Sequence, residues 1–275
     1  MKVALSGPAE TLLATLYARA LDARADHPVL GDRTAAPVME QLDYDFSRLG
    51  MRTSDAFGVA IRARLLDTWA REFLTVHPDA TVLHLGCGLD SRVQRIDPGP
   101  GVRWFDVDQP EVVALRAQLY PERDGYRAIG ASVLDQGWLD DIPRDLPALV
   151  VAEGLTMYLP ASAGPPLLRR LVTHLPRGEM AFDTYSRLGV RMSRFVPVLR
   201  RTGQTLSWGV DDPRDLEREV PGLRLSDGVP AIRSLDSLDA TTRAHLPRSM
   251  RWQLAVIGRV PGLRSIGHIS RYAFG

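Results

Sequence analysis

Between residues 81 and 183 short apolar runs alternate with amphipathic ones, and this alternation restricts the fold more than any other feature of the 275-residue chain. Thr81–Leu85, Val102–Phe105, Tyr126–Ile129, Leu146–Ala152 and Met180–Asp183 read as strands. Pro110–Leu119, with proline in its first turn, and Leu167–Leu175 read as helices. Such an alternation builds a parallel, doubly wound α/β sheet. The fourth run is the most apolar and is expected at the centre, covered on both faces. Upstream, residues 9–25 and 54–76 read as amphipathic helices, the second capped by Ser54 with Asp55 at the positive end of its dipole. Downstream the rhythm loosens. Residues 187–201 look helical and basic, 205–208 look like a strand, 240–258 look helical, and 265–274 form a last strand in which Ile266, Ile269 and Tyr272 do not alternate cleanly.

In a doubly wound sheet, ligands sit outside the carboxyl ends of the strands. The first strand runs into Gly86-Cys87-Gly88, and the second ends in Asp106-Val107-Asp108. Glycines permit close backbone approach, and an acid 20 residues past Gly88 can accept hydrogen bonds from ribose hydroxyls. These features fit either a dinucleotide or S-adenosylmethionine. A dinucleotide loop wants a third glycine where Ser91 stands, and Asp90 would repel a pyrophosphate. A sulfonium and an ammonium are instead helped by carboxylates, which favours the methyl donor. Cys87, between the two glycines with nothing nearby to activate it, reads as a small residue of the loop.

Arg62 interrupts the apolar stripe Val59, Leu66, Trp69, Phe73 of the 54–76 helix. A buried guanidinium needs an anion. Two partners are open: a carboxylate of the protein, or a carboxylate of the ligand. Arg64 lies about 200° round the same helix and reads as solvated. Glu153 follows the fourth strand and points into the ligand crevice; it can pair with an ammonium or cap a helix.

Composition removes other classes. The net charge of +1 lacks the basic excess of a dedicated nucleic-acid binder. A single cysteine forbids an intrachain disulfide and a four-cysteine zinc site, and no metal is expected. No 18-residue apolar stretch and no signal peptide are visible, so a cytoplasmic protein is expected. Lys2 is the only lysine among 34 basic residues, a bias in keeping with a GC-rich genome.

Several segments together resemble the leucine carboxyl methyltransferase family, and within it the bacterial branch that contains polyketide O-methyltransferases. They are Glu10-Thr11-Leu12-Leu13, Leu42-Asp43-Tyr44-Asp45-Phe46, Leu85-Gly86-Cys87-Gly88-Leu89-Asp90-Ser91-Arg92, Trp104-Phe105-Asp106-Val107-Asp108-Gln109-Pro110, the run Ala152 to Pro160, and Trp208-Gly209-Val210-Asp211-Asp212-Pro213. The resemblance implies a Rossmann-like class I methyltransferase with a seven-stranded, mostly parallel sheet whose last strand is antiparallel. It implies an N-terminal helical cap (1–78), a donor-binding core (79–184) and C-terminal substrate-shaping segments (185–275). It further implies S-adenosylmethionine held by Arg62 on the methionine carboxylate, by the Gly86-Cys87-Gly88 loop, by Asp108 rather than Asp106 on the ribose, by Ser132 and Val133 at the adenine, and by Glu153 near the amino-acid end. A donor-binding lysine of the eukaryotic branch has no counterpart here, and Arg19 is the substitute to test.

For the acceptor, the resemblance points to a small aromatic or polyketide-type natural product methylated at a carboxylate. A carboxylate is ionised at neutral pH and needs no base, whereas a phenol benefits from one. His84 lies inside a strand and reads as a core residue; His245 and His268 are the base candidates. Phenol methylation, protein carboxyl methylation, and a non-methylating pathway protein on the same fold are the alternatives. Tyr17, Tyr158 and Trp208 are expected to place the acceptor. Arg187, Arg191, Arg194, Arg200 and Arg201 form either a solvated face or a rim that draws in an anionic substrate.

Overall fold

The structure is a computed structural model that describes residues 9–51, 53–196, 199–200, 203–238, 240–244, 246 and 265–275. Its seven strands are β1 (Ala80–Leu85), β2 (Val102–Asp108), β3 (Tyr126–Gly130), β4 (Ala148–Ala152), β5 (Gly178–Tyr185), β6 (Leu223–Pro230) and β7 (Gly267–Phe274). They form one sheet in the order β3-β2-β1-β4-β5-β7-β6. β1 to β5 pair in parallel, and β7 runs antiparallel to both β5 and β6. The expected seven-stranded sheet with an antiparallel last strand is what the chain adopts.

β1 and β4 are buried at every position, as their unbroken apolar runs require. One sheet face packs Leu83, Leu85, Val107, Val150, Met180 and Phe182 against Leu167, Leu168 and Leu171 of α6 (Gly164–His174). The other packs Val82, Trp104, Leu149, Val151 and Ala181 against Leu65, Leu66, Trp69 and Phe73 of α3 (Thr53–Val76). A third cluster ties α1 (Ala9–Ala23) to α2 (Ala35–Glu40), to Leu89 after the glycine loop, and to Val112, Leu115 and Leu119 of α5 (Pro110–Leu119). The N-terminal helices therefore lie over the loop that follows β1.

Several expectations are corrected. α3 begins at Thr53, so Ser54 sits in its first turn and is not its cap. The basic helix from Arg187 ends at Ser193, followed by a turn. Pro197 disfavours helical geometry in the residue before it. Residues 205–208 are not a strand. The amides of Ser207 and Trp208 donate to the Met157 carbonyl, and only Gly209 makes an isolated bridge, to Tyr185. β6 was not expected: it is an exposed edge with a bulge between Leu225 and Asp227, and it lacks the apolar run that marks the inner strands. β7 fails to alternate because it lies between β5 and β6 and is covered on both faces. Of the helix expected over 240–258, the structure describes Ala240–Ala244, and residues 247–258 lie outside the described residues.

Gly178 opens β5 at φ +153°, and a Cβ there would stand 1.8 Å from the Ala148 carbonyl oxygen of β4. Gly178→Ala must push these two central strands apart. It should lower stability by about 3 kcal/mol, as overpacking of a tight core does, and a urea titration will measure it.

Candidate active site at the carboxyl ends of the strands

The loop after β1 turns back on itself through two left-handed glycines. Gly86 has φ +62° and Gly88 φ +50°, and a Cβ on Gly86 would come within 2.9 Å of Leu155. The Gly86 amide donates to the Val107 carbonyl at 2.8 Å, joining the loop to the end of β2. Asp108 ends that strand. Its two carboxylate oxygens accept from the amides of Gly88 and Gln109, each at 2.7 Å. Burial raises the Asp108 pKa, and the two amides act against that rise.

This geometry also sharpens the choice of ligand. In a pyrophosphate-binding loop the amides must be free to meet phosphate oxygens. Here the Gly88 amide already serves a carboxylate. Asp90 does not act on a ligand as its place in the loop suggested, because it is buried among arginines. It meets Arg95 at 2.6 Å, Arg92 at 3.5 Å and Arg19 at 3.6 Å. Burial opposes its charge, but the three arginines hold its carboxyl well below the usual range.

Asp106, two residues before Asp108, is structural. It accepts from the Trp104 indole and the Tyr126 hydroxyl, each at 2.9 Å, and pairs with Arg116. His84 is a core residue, as expected, between Arg92 at 3.0 Å and Asp106 at 3.2 Å. A guanidinium can only donate, so His84 Nε2 accepts and its proton lies on Nδ1, toward Asp106.

Arg62 reaches the strand ends from α3. Its Nε donates to Glu153 Oε1 at 3.1 Å and its Nη1 to Asp183 Oδ2 at 2.8 Å. Both partners belong to the protein, which is the first of the two alternatives, and 19% of the Arg62 side chain remains exposed. Asp183 also accepts from the Gly154 amide at 2.6 Å. Glu153 Oε2 is held from behind by fully buried Arg92, whose Nε donates to Asp67 of α3 at 2.8 Å. Burial works against the charge of Arg62, yet Asp183 and Glu153 raise its pKa. Burial likewise opposes the Glu153 carboxylate, and Arg62 and Arg92 bring its pKa down. Asp183, where burial prevails over Arg62, titrates above its ordinary range.

The structure thus brings Arg62, Gly86, Gly88, Asp108 and Glu153 to one edge of the sheet. Cys87 is buried within the loop, where burial pushes its thiol up. Ser132 and Val133 follow β3. The Ser132 hydroxyl accepts from the Leu134 amide at 3.2 Å, and the Val133 carbonyl accepts from Trp138 and Arg170. Arg19 is buried beside Asp32 and Asp90. Arg64 is not solvated: it donates to the Val29 carbonyl at 2.8 Å. Tyr17 packs on Phe46 with ring centroids 5.5 Å apart. Trp208 is 6% exposed and lies in the core against Gly164, where an added Cβ would be 2.2 Å from its ring, so it packs the core and does not line a cleft. Tyr158 is half-buried beside Met157, Leu199 and Leu206. His268 pairs with Thr184 and shares the α6 face with Tyr272, opposite Asp183, while His245 lies outside the described residues. Arg191, Arg194 and Arg200 are exposed, Arg187 is 3.5 Å from Asp211, and Arg201 lies outside the described residues.

The sequence leaves two of these residues unassigned, Asp183 and Arg92. Asp183 carried a signal, since it ends an expected strand as Asp108 does. Arg92 carried none, because its partner Glu153 is 61 residues away.

The family described as leucine carboxyl methyltransferase matches residues 12–172. The chain belongs to this family. Among relatives within it, the tetracenomycin polyketide synthesis O-methyltransferase TcmP of Streptomyces glaucescens is 50% identical over 272 residues, covering 99% of this chain and 98% of its own. The S-adenosyl-L-methionine-dependent methyltransferase dpfgK of Gibberella zeae is 41% identical over 244 residues, covering 81% and 82%. The fold is shared with a solved DUF574 family protein from Streptomyces avermitilis at 14% identity, with a TM-score of 0.62 over 94% of this chain and 97% of that one.

Acid should dismantle the site in this family member. Asp106 is held at about 2: burial opposes its charge, and Arg116 and His84 overcome that penalty. Asp67, Asp90 and Glu153 are also lowered. A carboxyl lowered in the folded state stabilises above its unfolded pKa and loses that contribution as pH falls through the folded one. Asp108 and Asp183, which are raised, act in the opposite sense. With four groups against two, the melting temperature should be flat above about pH 5 and fall steeply between about pH 4 and 2. Thermal melts across that range will measure it, and Asp106→Asn should flatten part of the fall.

Proposed function

We propose that this chain is an S-adenosylmethionine-dependent O-methyltransferase that acts on a polyketide-type aromatic natural product, at a carboxylate. The observation that carries the reading is Asp108, fixed by the Gly88 and Gln109 amides at the mouth of a glycine loop whose backbone has no amide to spare at Gly88 for a phosphate. The polyketide class rests on the 50% identity to TcmP over nearly the whole chain.

The donor fits the residues present. Gly86 and Gly88 turn the loop through left-handed backbone that a side chain would strain, Asp108 accepts from ribose hydroxyls, and Ser132 and Val133 flank the adenine. Arg62, held by Glu153 and Asp183, takes the methionine carboxylate on the part of its side chain that stays exposed, and Glu153 takes the ammonium. When bound, S-adenosylmethionine supplies a methyl group whose bond to sulfur breaks with the electron pair left on sulfur as an acceptor oxygen forms the new bond to carbon. The chain aligns the reactants and keeps water out. Arg92 and Asp67 fix Glu153 and α3 so that Arg62 presents one rigid edge. A carboxylate acceptor removes the need for a base. His268, the base candidate within the described residues, sits on the opposite sheet face from Asp183, and burial lowers its pKa.

Isothermal calorimetry should detect binding of S-adenosylmethionine and none of NADPH; the reverse result refutes the reading. Asp108→Ala removes the acceptor for the ribose and for two amides, and should weaken donor binding by about 2–5 kcal/mol. An unchanged dissociation constant would remove Asp108 from the site.

A further inference from the structure

Among the described residues five large apolar side chains stand exposed, and four of them fall in one short stretch: Leu188, Met192, Phe195 and Val196, exposed by 39% to 68%. They belong to α7 (Arg187–Ser193) and to the turns that prolong it, in which the amides of Phe195 and Val196 donate to the carbonyls of Met192 and Ser193. Spacings of four, three and one set these side chains within about 100° of one helical face. The helix is inside out. Its buried side carries the small residues Gly189 and Ser193, and a Cβ on Gly189 would stand 2.5 Å from the Ile266 carbonyl oxygen. That close approach to the start of β7 fixes which face turns away, and it is the apolar one. A surface helix of a globular protein ordinarily does the reverse, and a contiguous exposed apolar patch marks an interaction site.

Charge identifies the partner. No acid occurs from Ser186 to Val210, and Arg187, Arg191 and Arg194, all exposed, lie along one flank of the apolar stripe. Arg191 and Arg194 have no acidic partner among the described residues, and Arg194 rests over the Phe195 ring at 4.9 Å. A second copy of this face would set arginines against arginines. So would residues 247–264 of this chain, which lie outside the described residues and hold four arginines and no acid. A protein partner commits about 800 Å² to a stable complex, and four partly exposed side chains on a few turns of chain offer much less. A bilayer sets no such threshold. It takes protruding apolar side chains beneath its headgroups while arginines stay at the anionic level. No described helix is long and apolar enough to cross a membrane, so the contact is with its surface.

We propose that α7 and the turns after it form a docking face for an anionic lipid bilayer, with Leu188, Met192, Phe195 and Val196 below the headgroups and Arg187, Arg191 and Arg194 on the lipid phosphates. α7 begins four residues past Asp183, so the docked surface lies beside the strand ends that carry the partners of Arg62. A carboxylate that becomes an ester loses its charge, and a lipid surface at this edge takes up such a product. That consequence rests on the methyltransferase reading, whereas the docking face does not.

The probes are sucrose-loaded vesicles of phosphatidylcholine and phosphatidylglycerol in equal parts, against vesicles of phosphatidylcholine alone, with bound protein measured by co-sedimentation. A net charge of +1 gives the protein as a whole little attraction for anionic lipid. The wild type should nonetheless partition at least about tenfold more strongly onto the anionic vesicles, and molar salt should abolish the difference. The double variant Leu188→Ser, Phe195→Ser should lose at least about tenfold on anionic vesicles, and Arg191→Gln and Arg194→Gln about fivefold each. Val76→Ser, at the exposed apolar residue outside the patch, should change nothing. All these side chains are exposed, so melting temperatures should stay at the wild-type value. Equal binding to the two kinds of vesicle, or a double variant that partitions like the wild type, would overturn the inference. A wild type that stays in the supernatant with both kinds would also overturn it and give the face to an acidic protein. A dimer in sedimentation equilibrium that the double variant breaks would give it to a second copy. Binding of S-adenosylmethionine is read separately by calorimetry, so failure of the methyltransferase reading and failure of the docking face are distinguishable.

Discussion

The buried ion network beneath the strand ends is the constraint on which the rest of the molecule depends. Arg92 touches Asp67, His84 and Glu153; Glu153 touches Arg62; Arg62 touches Asp183. A neighbouring branch runs from Arg95 to Asp67, Asp32 and Asp90. Taking so many charges out of water is unfavourable unless each is paired and hydrogen-bonded, and removal of one member leaves its partners stranded. The network therefore joins α3, α4 (Arg92–Ile96), the glycine loop, β1 and β4 into a body that cannot deform piecemeal. Asp32, from the segment before α2, extends it into the cap, where it accepts from the Ser91 hydroxyl at 2.7 Å.

The arginine bias of the sequence acquires a physical meaning in this setting. A guanidinium presents several donors in a fixed plane, whereas an ammonium is a compact point charge. Arg92 uses three nitrogens on three different partners, and Arg95 makes contacts with four side chains. Base composition accounts for the arginines as a class. Geometry accounts for these particular ones, since lysine at position 92 could not satisfy Asp67, His84 and Glu153 together. The N-terminal part that contains this network is acidic, with 25 acids against 19 bases in residues 1–183, while residues 184–275 hold 8 acids and 15 bases.

The α/β class, five of the seven strands and the glycine loop with its acid were legible because they rest on local patterns: apolar runs, a proline in a first turn, and glycines at a strand end. β7 was also anticipated, although its burial on both faces blurred its periodicity. β6 was hidden because an exposed edge strand carries little apolar signal. The same distinction holds for the site. Asp108 and Glu153 could be found because each ends a strand. The partners of Arg62 could not be assigned, since the choice between a protein and a ligand carboxylate turns on Asp183, 121 residues away. Trp208 illustrates the reverse error: an aromatic residue in a segment that resembled a substrate loop is held in the core by its fit to Gly164.

Strand parity explains how one sheet carries both a dry core and a charged site. On the α3 face, Val82, Trp104, Val151 and Ala181 are apolar, and the next residues on that face along their strands are His84, Asp106, Glu153 and Asp183. The α6 face of the same strands is apolar to the end, through Leu85, Val107, Ala152 and Phe182. Side chains alternate with a period of two, so a one-residue slip of β2, β4 or β5 would drive its acid into the α6 core and bring Val107, Ala152 or Phe182 to the ligand edge. The register that buries the hydrophobic face is thus the register that sets Glu153 and Asp183 on Arg62 and Asp108 at the end of β2. Selection for a well-packed core and selection for the site act on the same alignment of strands.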